Sequence, residues 1–452
     1  MLPRLCLSLA LFAAAPAWSQ IGSIPFDTTV QPSSEDRMMT PPPASGASYP
    51  TAVGAQERSN YLAASVAINT AFDDNVIVGN SGAAIRDEIY SILPTVSLNH
   101  TTPRHNLTLL YSPGFSIYQH TSSLNAATQT ADLNYEYRLN QRTSITLNDS
   151  FQKSSNVFDQ LNSISGETAS NPTSSTPADV VAPYADRLSN TANAGLSYQF
   201  SKNGMIGGGG SFTENSYPNS AQASGFYNSN SVGGSVFYSQ RLSTLRYFGV
   251  TYQYVNSQSS PVNNQTNPVD VQTGVETHTI FGFYTMYFTP TISLSISGGP
   301  QYYKASQLST PELSSWAPSA TASLGWQRNR TNFVATYART VTGGSGLLGA
   351  FNSNNASVSA RWLVARGWVA GVTGAYSINK NILPLISSSS PGGHTVSGTA
   401  SLQHSIGEHF EVAGGYARLH QSYSGITAIA DSPDSNREYI VVSYHFTRPL
   451  GR

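Results

Sequence analysis

From about Tyr61 onward, apolar and polar residues alternate with a period of two. Leu62, Ala64, Val66, Ile68 and Phe72 fall on one side, with Ala63, Ser65, Ala67 and Asn69 between them. The pattern recurs in Leu107, Leu109 and Tyr111, in Leu133, Tyr135 and Tyr137, in Ile292, Leu294 and Ile296, and in Ile440, Val442, Tyr444 and Phe446. Successive side chains of a strand point to opposite faces, so the pattern predicts strands with one apolar and one polar face. Roughly eighteen such segments are predicted, the first near 60–72 and the last near 436–447.

A soluble β-sandwich alternates too, and two features separate the cases. The runs are long enough for tilted membrane strands, which need about 9–11 residues, whereas soluble strands average about 5–6. The connections are also unequal. Tight turns at Thr101–Arg104, Asn140–Arg142, Lys202–Gly204, Thr289–Thr291, Ala365–Gly367 and Gly407–His409 alternate with long polar stretches. Among the latter are 155–186, 257–273, 342–351, 379–393 and 421–435. Short periplasmic turns alternating with long external loops is the layout of an outer-membrane barrel. Aromatics such as Tyr137, Phe200, Trp326, Trp362 and Phe410 flank the tight turns, as rings seated at the headgroup level would. The fold expected is all-β: a transmembrane antiparallel up-and-down β-barrel over residues 59–452, with both ends periplasmic.

Composition sharpens this. Charged residues make up 10% of the chain, against about 25% in an average soluble protein. That leaves too few for an ordinary soluble surface, although a soluble secreted β-protein would fit composition alone. The 23 basic and 24 acidic side chains nearly cancel, which gives no reason to expect nucleic acid as a partner. No later segment reaches the roughly 20 apolar residues of a membrane helix. The longest approach, Trp362 to Val372, is broken by Arg366 and Gly367.

Residues 1–19 read as a signal peptide: Arg4 is followed by the apolar Leu5–Ala17. Ala17-Trp18-Ser19 offers one cleavage site and Ala15-Pro16-Ala17 another. Residues 20–58 carry Pro25, Pro32, Pro41, Pro42, Pro43 and Pro50 without periodicity and read as a disordered periplasmic segment. The single cysteine, Cys6, lies inside the signal, so the mature chain is expected to carry no thiol.

Candidate chemistry is sparse, and no catalytic, cofactor or metal site is expected. Asp73-Asp74-Asn75 could ligate a divalent cation, but lacks the further spacing of a calcium loop and reads better as a turn. The nine histidines have no metal-binding spacing and read as solvated or lumen-facing. Gly207–Gly210 lacks the Lys and helix of a phosphate loop, and reads as a bend or as room for a neighbour. If Tyr135 and Tyr137 face lipid, then Glu136 and Arg138 face the lumen, and the same parity adds Arg361, Glu411 and His445. These mixed charges give no ion preference, and the many inward Ser, Asn and Gln would suit small polar solutes. The stretch 155–186, with Phe158, Leu161, Ile164 and Tyr184, either folds into the barrel and narrows it or stays outside as a disordered loop.

The run Ala71-Phe72-Asp73-Asp74-Asn75-Val76, closing the first strand, resembles the outer-membrane β-barrel porin family, type two. The resemblance covers the chain from about residue 60 to the end. It implies an outer-membrane barrel, sometimes encoded near polysaccharide-export genes, and brings no catalytic residues with it. The strand Tyr439–Phe446 looks like the signal read by the barrel-assembly machinery, although Thr447–Arg452 follow it and it lacks an internal Gly. The partners expected are outer-membrane lipids and lipopolysaccharide, that machinery, and periplasmic polysaccharide-export proteins. The function expected is a passive porin-like channel for small polar solutes or saccharides. The alternatives are an outer-membrane component of an exopolysaccharide or capsule secretion system, or a surface-binding barrel with a closed lumen.

Overall fold

The structure, a computed structural model, describes residues 60–77, 84–155, 158, 178–179, 185–219, 223, 226–262, 272–289, 291–307, 311–328, 330–346, 349–383, 392–424 and 434–449. The expected signal peptide and Pro-rich segment lie outside the described residues.

The wall opens with β1 (Tyr61–Asp73), β2 (Asp87–Thr101), β3 (His105–Tyr118), β4 (Ala126–Arg138) and β5 (Thr143–Ser154). A two-residue strand, β6 (Ala178–Asp179), lies between β5 and β7 in the chain but is not part of the wall. The wall continues through β7 (Arg187–Tyr198), β8 (Gly204–Ser216), β9 (Tyr227–Ser243), β10 (Arg246–Pro261), β11 (Thr273–Thr289) and β12 (Ile292–Gln307). Next come β13 (Leu313–Arg328), β14 (Thr331–Ser345), β15 (Ala350–Ala365) and β16 (Trp368–Asn381). The ring is completed by β17 (Gly392–Ile406), β18 (Phe410–Ser424) and β19 (Asp434–Pro449). Each wall strand pairs antiparallel with the next, β5 with β7, and β19 returns to β1. The product is a closed barrel of 18 antiparallel strands.

Wall strands run from 12 to 17 residues, beyond the roughly 9–11 that a tilted span requires. The period-two pattern sorts their side chains as the chain pattern demands. Val66, Val96, Leu109, Leu196, Val236, Val250, Ile280, Val372 and Ile440 are exposed on the outer face. Alternate residues turn inward, and Ser and Thr hydroxyls pair across neighbouring strands: Ser144 with Ser197 at 2.8 Å, Thr285 with Ser295 at 3.0 Å, Thr336 with Ser357 at 2.6 Å. An apolar exterior around a polar interior, in a closed even-numbered sheet, is the architecture of an outer-membrane barrel.

Two stretches singled out by their sequence have structural roles. Asp73-Asp74-Asn75 clamps the seam where the ring closes. Arg437 of β19 donates to Asp73 Oδ2 at 2.9 Å, and Ser435 donates to Asp73 Oδ1 at 2.7 Å. Asp74 takes the Asn436 backbone N–H and side-chain amide, each at 2.7 Å, while Asn75 Nδ2 donates to the Asp434 carbonyl at 2.7 Å. Every carboxylate oxygen of the motif is committed to β19 or its own turn, so this is a clamp made of turn residues. Gly207 leaves room for a neighbour, since a Cβ there would sit 2.5 Å from the Phe237 ring of β9.

One expectation about the connections fails. The stretch 342–351, which reads as a polar loop, is mostly strand: β14 runs to Ser345 and β15 begins at Ala350. The run Thr342-Gly343-Gly344-Ser345-Gly346, small and polar throughout, gives it the look of a loop. β13 pairs with β14 only over Ala320–Arg328 and Thr331–Arg339. Beyond Arg339, β14 keeps its pairing with β15 but leaves β13 and curls inside it. The backbone groups of Val341 that β13 no longer satisfies are taken by the Gln301 amide of β12. The Val341 N–H donates to Gln301 Oε1 at 2.7 Å, and Gln301 Nε2 donates to the Val341 carbonyl at 3.0 Å.

Candidate functional site: the lumen and its narrowed end

Tight turns gather at one end of the barrel, the turn end, together with the start of β1 and the finish of β19. Longer connections gather at the other, the loop end. The lumen differs between the two.

Towards the turn end the inner wall carries charge that meets water. Glu136 and Arg138 lie on the inward face of β4 and form an ion pair at 3.1 Å, with side chains 30% and 44% exposed. Arg361 on β15 is within electrostatic reach of Glu411 on β18. His445 on β19 also turns inward, where its Nε2 lies 2.8 Å from Ser443 Oγ. The structure brings Arg361, Glu411 and His445 to one side of the ring and keeps Glu136 and Arg138 several strands away. Nearby on β4, Asp132 accepts a hydrogen bond from Ser150 at 2.6 Å.

The loop end is narrowed. Where β14 curls inward it crosses behind β13, β12 and β11 until Gly343 meets Ser257 of β10; a Cβ at Gly343 would lie 2.7 Å from that side chain. Gly346, at φ +79°, carries the chain onward to a bridge with Tyr227 of β9. Ala350 of β15 is fully buried against Val275 of β11 and Ala305 of β12. Phe351, also fully buried, packs with Ala185, Tyr217, Ala223, Phe226 and Tyr423. Tyr423 comes from β18, and Tyr217 and Phe226 from the connection between β8 and β9, nearly opposite in the ring. An apolar cluster therefore bridges the lumen. On its β18 side, the Tyr423 hydroxyl accepts from Asn379 Nδ2 at 2.9 Å and lies 3.1 Å from Thr395 Oγ1.

The stretch 155–186, expected to fold inward or to stay outside, contributes at two described places. The Phe158 ring lies 4.3 Å from the Arg437 guanidinium on the seam. Ala178–Asp179 adds β6 in parallel to Gly344–Ser345 on the free edge of β14. Leu161, Ile164 and Tyr184 lie outside the described residues. The narrowing element that sequence reasoning misses is β14 with β15, because its seat on Gln301 and Ser257 depends on contacts far apart in the chain.

The histidines correct a further expectation. His100, His105, His278, His394, His404 and His420 share the parity of outward residues such as Val96, Ile280, Tyr376, Trp368 and Tyr416. They sit in aromatic belts on the outer face. His404 stacks on Trp368 at 4.2 Å, and His105 on Tyr137 at 5.9 Å, near the turn end. Near the loop end His278 lies 5.0 Å from Tyr254, and Tyr302 lies 5.3 Å from Trp316. Amphipathic rings at two levels mark the two interfaces of an apolar band. Parity with Ile280 or Leu98 is the signal in the chain that places them. Among the described residues no group of three or more His, Cys, Asp or Glu is placed to hold a metal ion.

No family model and no curated protein matches the chain. Solved structures of similar architecture include the unliganded ferric citrate transporter FecA, at TM-score 0.44 and 11% identity over 85% of this chain and 64% of that one. The chain thus spans less than two thirds of FecA's length. Others are OpdK of Pseudomonas aeruginosa with vanillate (TM-score 0.39, 10% identity, 86% and 99% covered) and OccK2 of the same organism with glucuronate (0.40, 8%, 86% and 98%). These likenesses extend to architecture alone.

Proposed function

We propose that the protein is an outer-membrane channel for small polar solutes or saccharides, narrowed at the loop end by the inward-curled ends of β14 and β15. One observation carries this reading: a closed apolar-sided barrel holds a wet, charge-bearing inner wall towards one end and an internal constriction at the other. Barrels of about 16–18 strands are wide enough for an aqueous channel. In this reading the long connections face outward, the turns face the periplasm, and β19 is the strand offered to the assembly machinery.

Planar-bilayer recording of the refolded protein is the test. Discrete conductance steps are expected, with small sugars entering proteoliposomes faster than large ones in swelling assays. Absence of both in a folded, inserted barrel would remove the channel reading and leave the closed surface-binding barrel.

A further inference from the structure

Barrels remove the unpaired strand edges that make open sheets vulnerable. Among its described residues this barrel retains one. β13 is paired with β12 from Leu313 to Trp326, but with β14 only from Ala320 onward. The segment Leu313–Ser319 thus has no strand on its β14 side among the described residues. Trp316, in its middle, is 67% exposed, higher than any other large apolar or aromatic side chain described.

The missing partner is identifiable from register. The pairing that sets Ala320 opposite Arg339 continues, without a slip, to Pro318 opposite Val341, Trp316 opposite Gly343, and Ser315 opposite Gly344. The segment that would fill the empty edge is the one now curled inside the lumen. Its chemistry suits either place. Gly343 fits against Ser257 only because it has no Cβ, and an aromatic facing a glycine across a pair of strands is a favourable match in a sheet. Gln301 meets both backbone groups of Val341 in the lumen. In the wall the Val341 N–H would find the Pro318 carbonyl, but Pro318 has no N–H to offer the Val341 carbonyl. Moving outward therefore exchanges one hydrogen bond of Val341 for strand pairing along Leu313–Ala317, and two alternative packings of one segment are what switching elements use.

We propose that β14 beyond Arg339 is a strand switch: in one state it curls inside and narrows the lumen, and in the other it zips onto Leu313–Ser319 of β13 and completes the wall. Outward zipping draws the paired end of β15 with it and takes Phe351 from the centre of the bridging cluster. The inference rests on the channel reading for its effect on transport, but not for the exchange of pairing itself.

The test uses Ser315→Cys with Gly344→Cys in the mature chain, whose natural sequence has no cysteine beyond Cys6. In the outward register the two thiols face each other, within the Cα separation of about 4.4–6.8 Å that a disulfide accepts. In the inward state they do not. We expect the folded barrel to form this disulfide under oxidising conditions, and single-channel conductance to rise on oxidation and return on reduction. A folded barrel whose two thiols stay free would overturn the switch. A disulfide with unchanged conductance would uphold the switch and instead overturn the narrowing role given to β14. Gly343→Ala provides a second measurement without cysteines: the added Cβ disfavours the inward seat, so the time spent at high conductance should increase. Equal dwell times in Gly343→Ala and wild type would count against the two-state exchange.

Discussion

Asp73 and Arg437 form the most buried ion pair of the seam, with side chains 2% and 8% exposed. Removing one member of such a pair leaves the other charge without compensation, which costs about 3–5 kcal/mol. Asp73→Ala should lower the urea midpoint of the refolded barrel, with a loss of unfolding free energy of that order. Ser435→Ala, which deletes one neutral donor to the same carboxylate, should cost about 1 kcal/mol. Equal midpoints for the two variants would mean that the seam does not depend on the charge. The same residues show how far the sequence alone reaches at this scale. The turn propensity of Asp-Asp-Asn is visible in the chain, but its acceptors are filled by residues far downstream, as with Ser435 at a separation of 362.

At the scale of the strand, side-chain parity decides whether a substitution meets hydrocarbon or water. Val236 on β9 is 58% exposed on the outer face, and an arginine there should destabilise by about 2–4 kcal/mol if the position is near the bilayer midplane. Asn134 lies on the inward face of β4, beside Glu136, so Asn134→Arg should change stability by no more than about 0.5 kcal/mol while shifting ion preference. Unfolding from lipid vesicles compares the two. A tolerated Val236→Arg beside a damaging Asn134→Arg would invert the assignment of faces. Parity is legible along the chain because the period is two and the runs are long. For that reason the alternation alone assigns Glu136, Arg138, Arg361, Glu411 and His445 to one face. The histidines mislead because their polarity suggests water, whereas their parity with Ile280, Leu98 and Val396 sets them on the outer face.

For the whole molecule, the balance of charge in the lumen matters more than any one group. Asp132, Glu136 and Glu411 stand against Arg138, Arg241 and Arg361 on the inward face of the turn half. With both signs interspersed, no ring of one charge forms to select ions. Reversal potentials measured in a salt gradient should therefore stay close to zero, and Arg361→Ala should move them towards cation preference. A strong selectivity in the unmodified channel would mean that the narrowing at the loop end, and not the wetted half, sets which ions pass.

The chain by itself determined the wall: alternation fixed strands, faces and an even ring of hairpins, because each depends only on neighbours within one run and on which solvent each face meets. The tertiary structure alone decided where the lumen narrows. A strand that leaves its partner does so where groups elsewhere take it in, here Gln301 by bonding the Val341 backbone and Ser257 by leaving room for a residue without a Cβ. No local pattern in Thr340–Ser345 records that such groups exist.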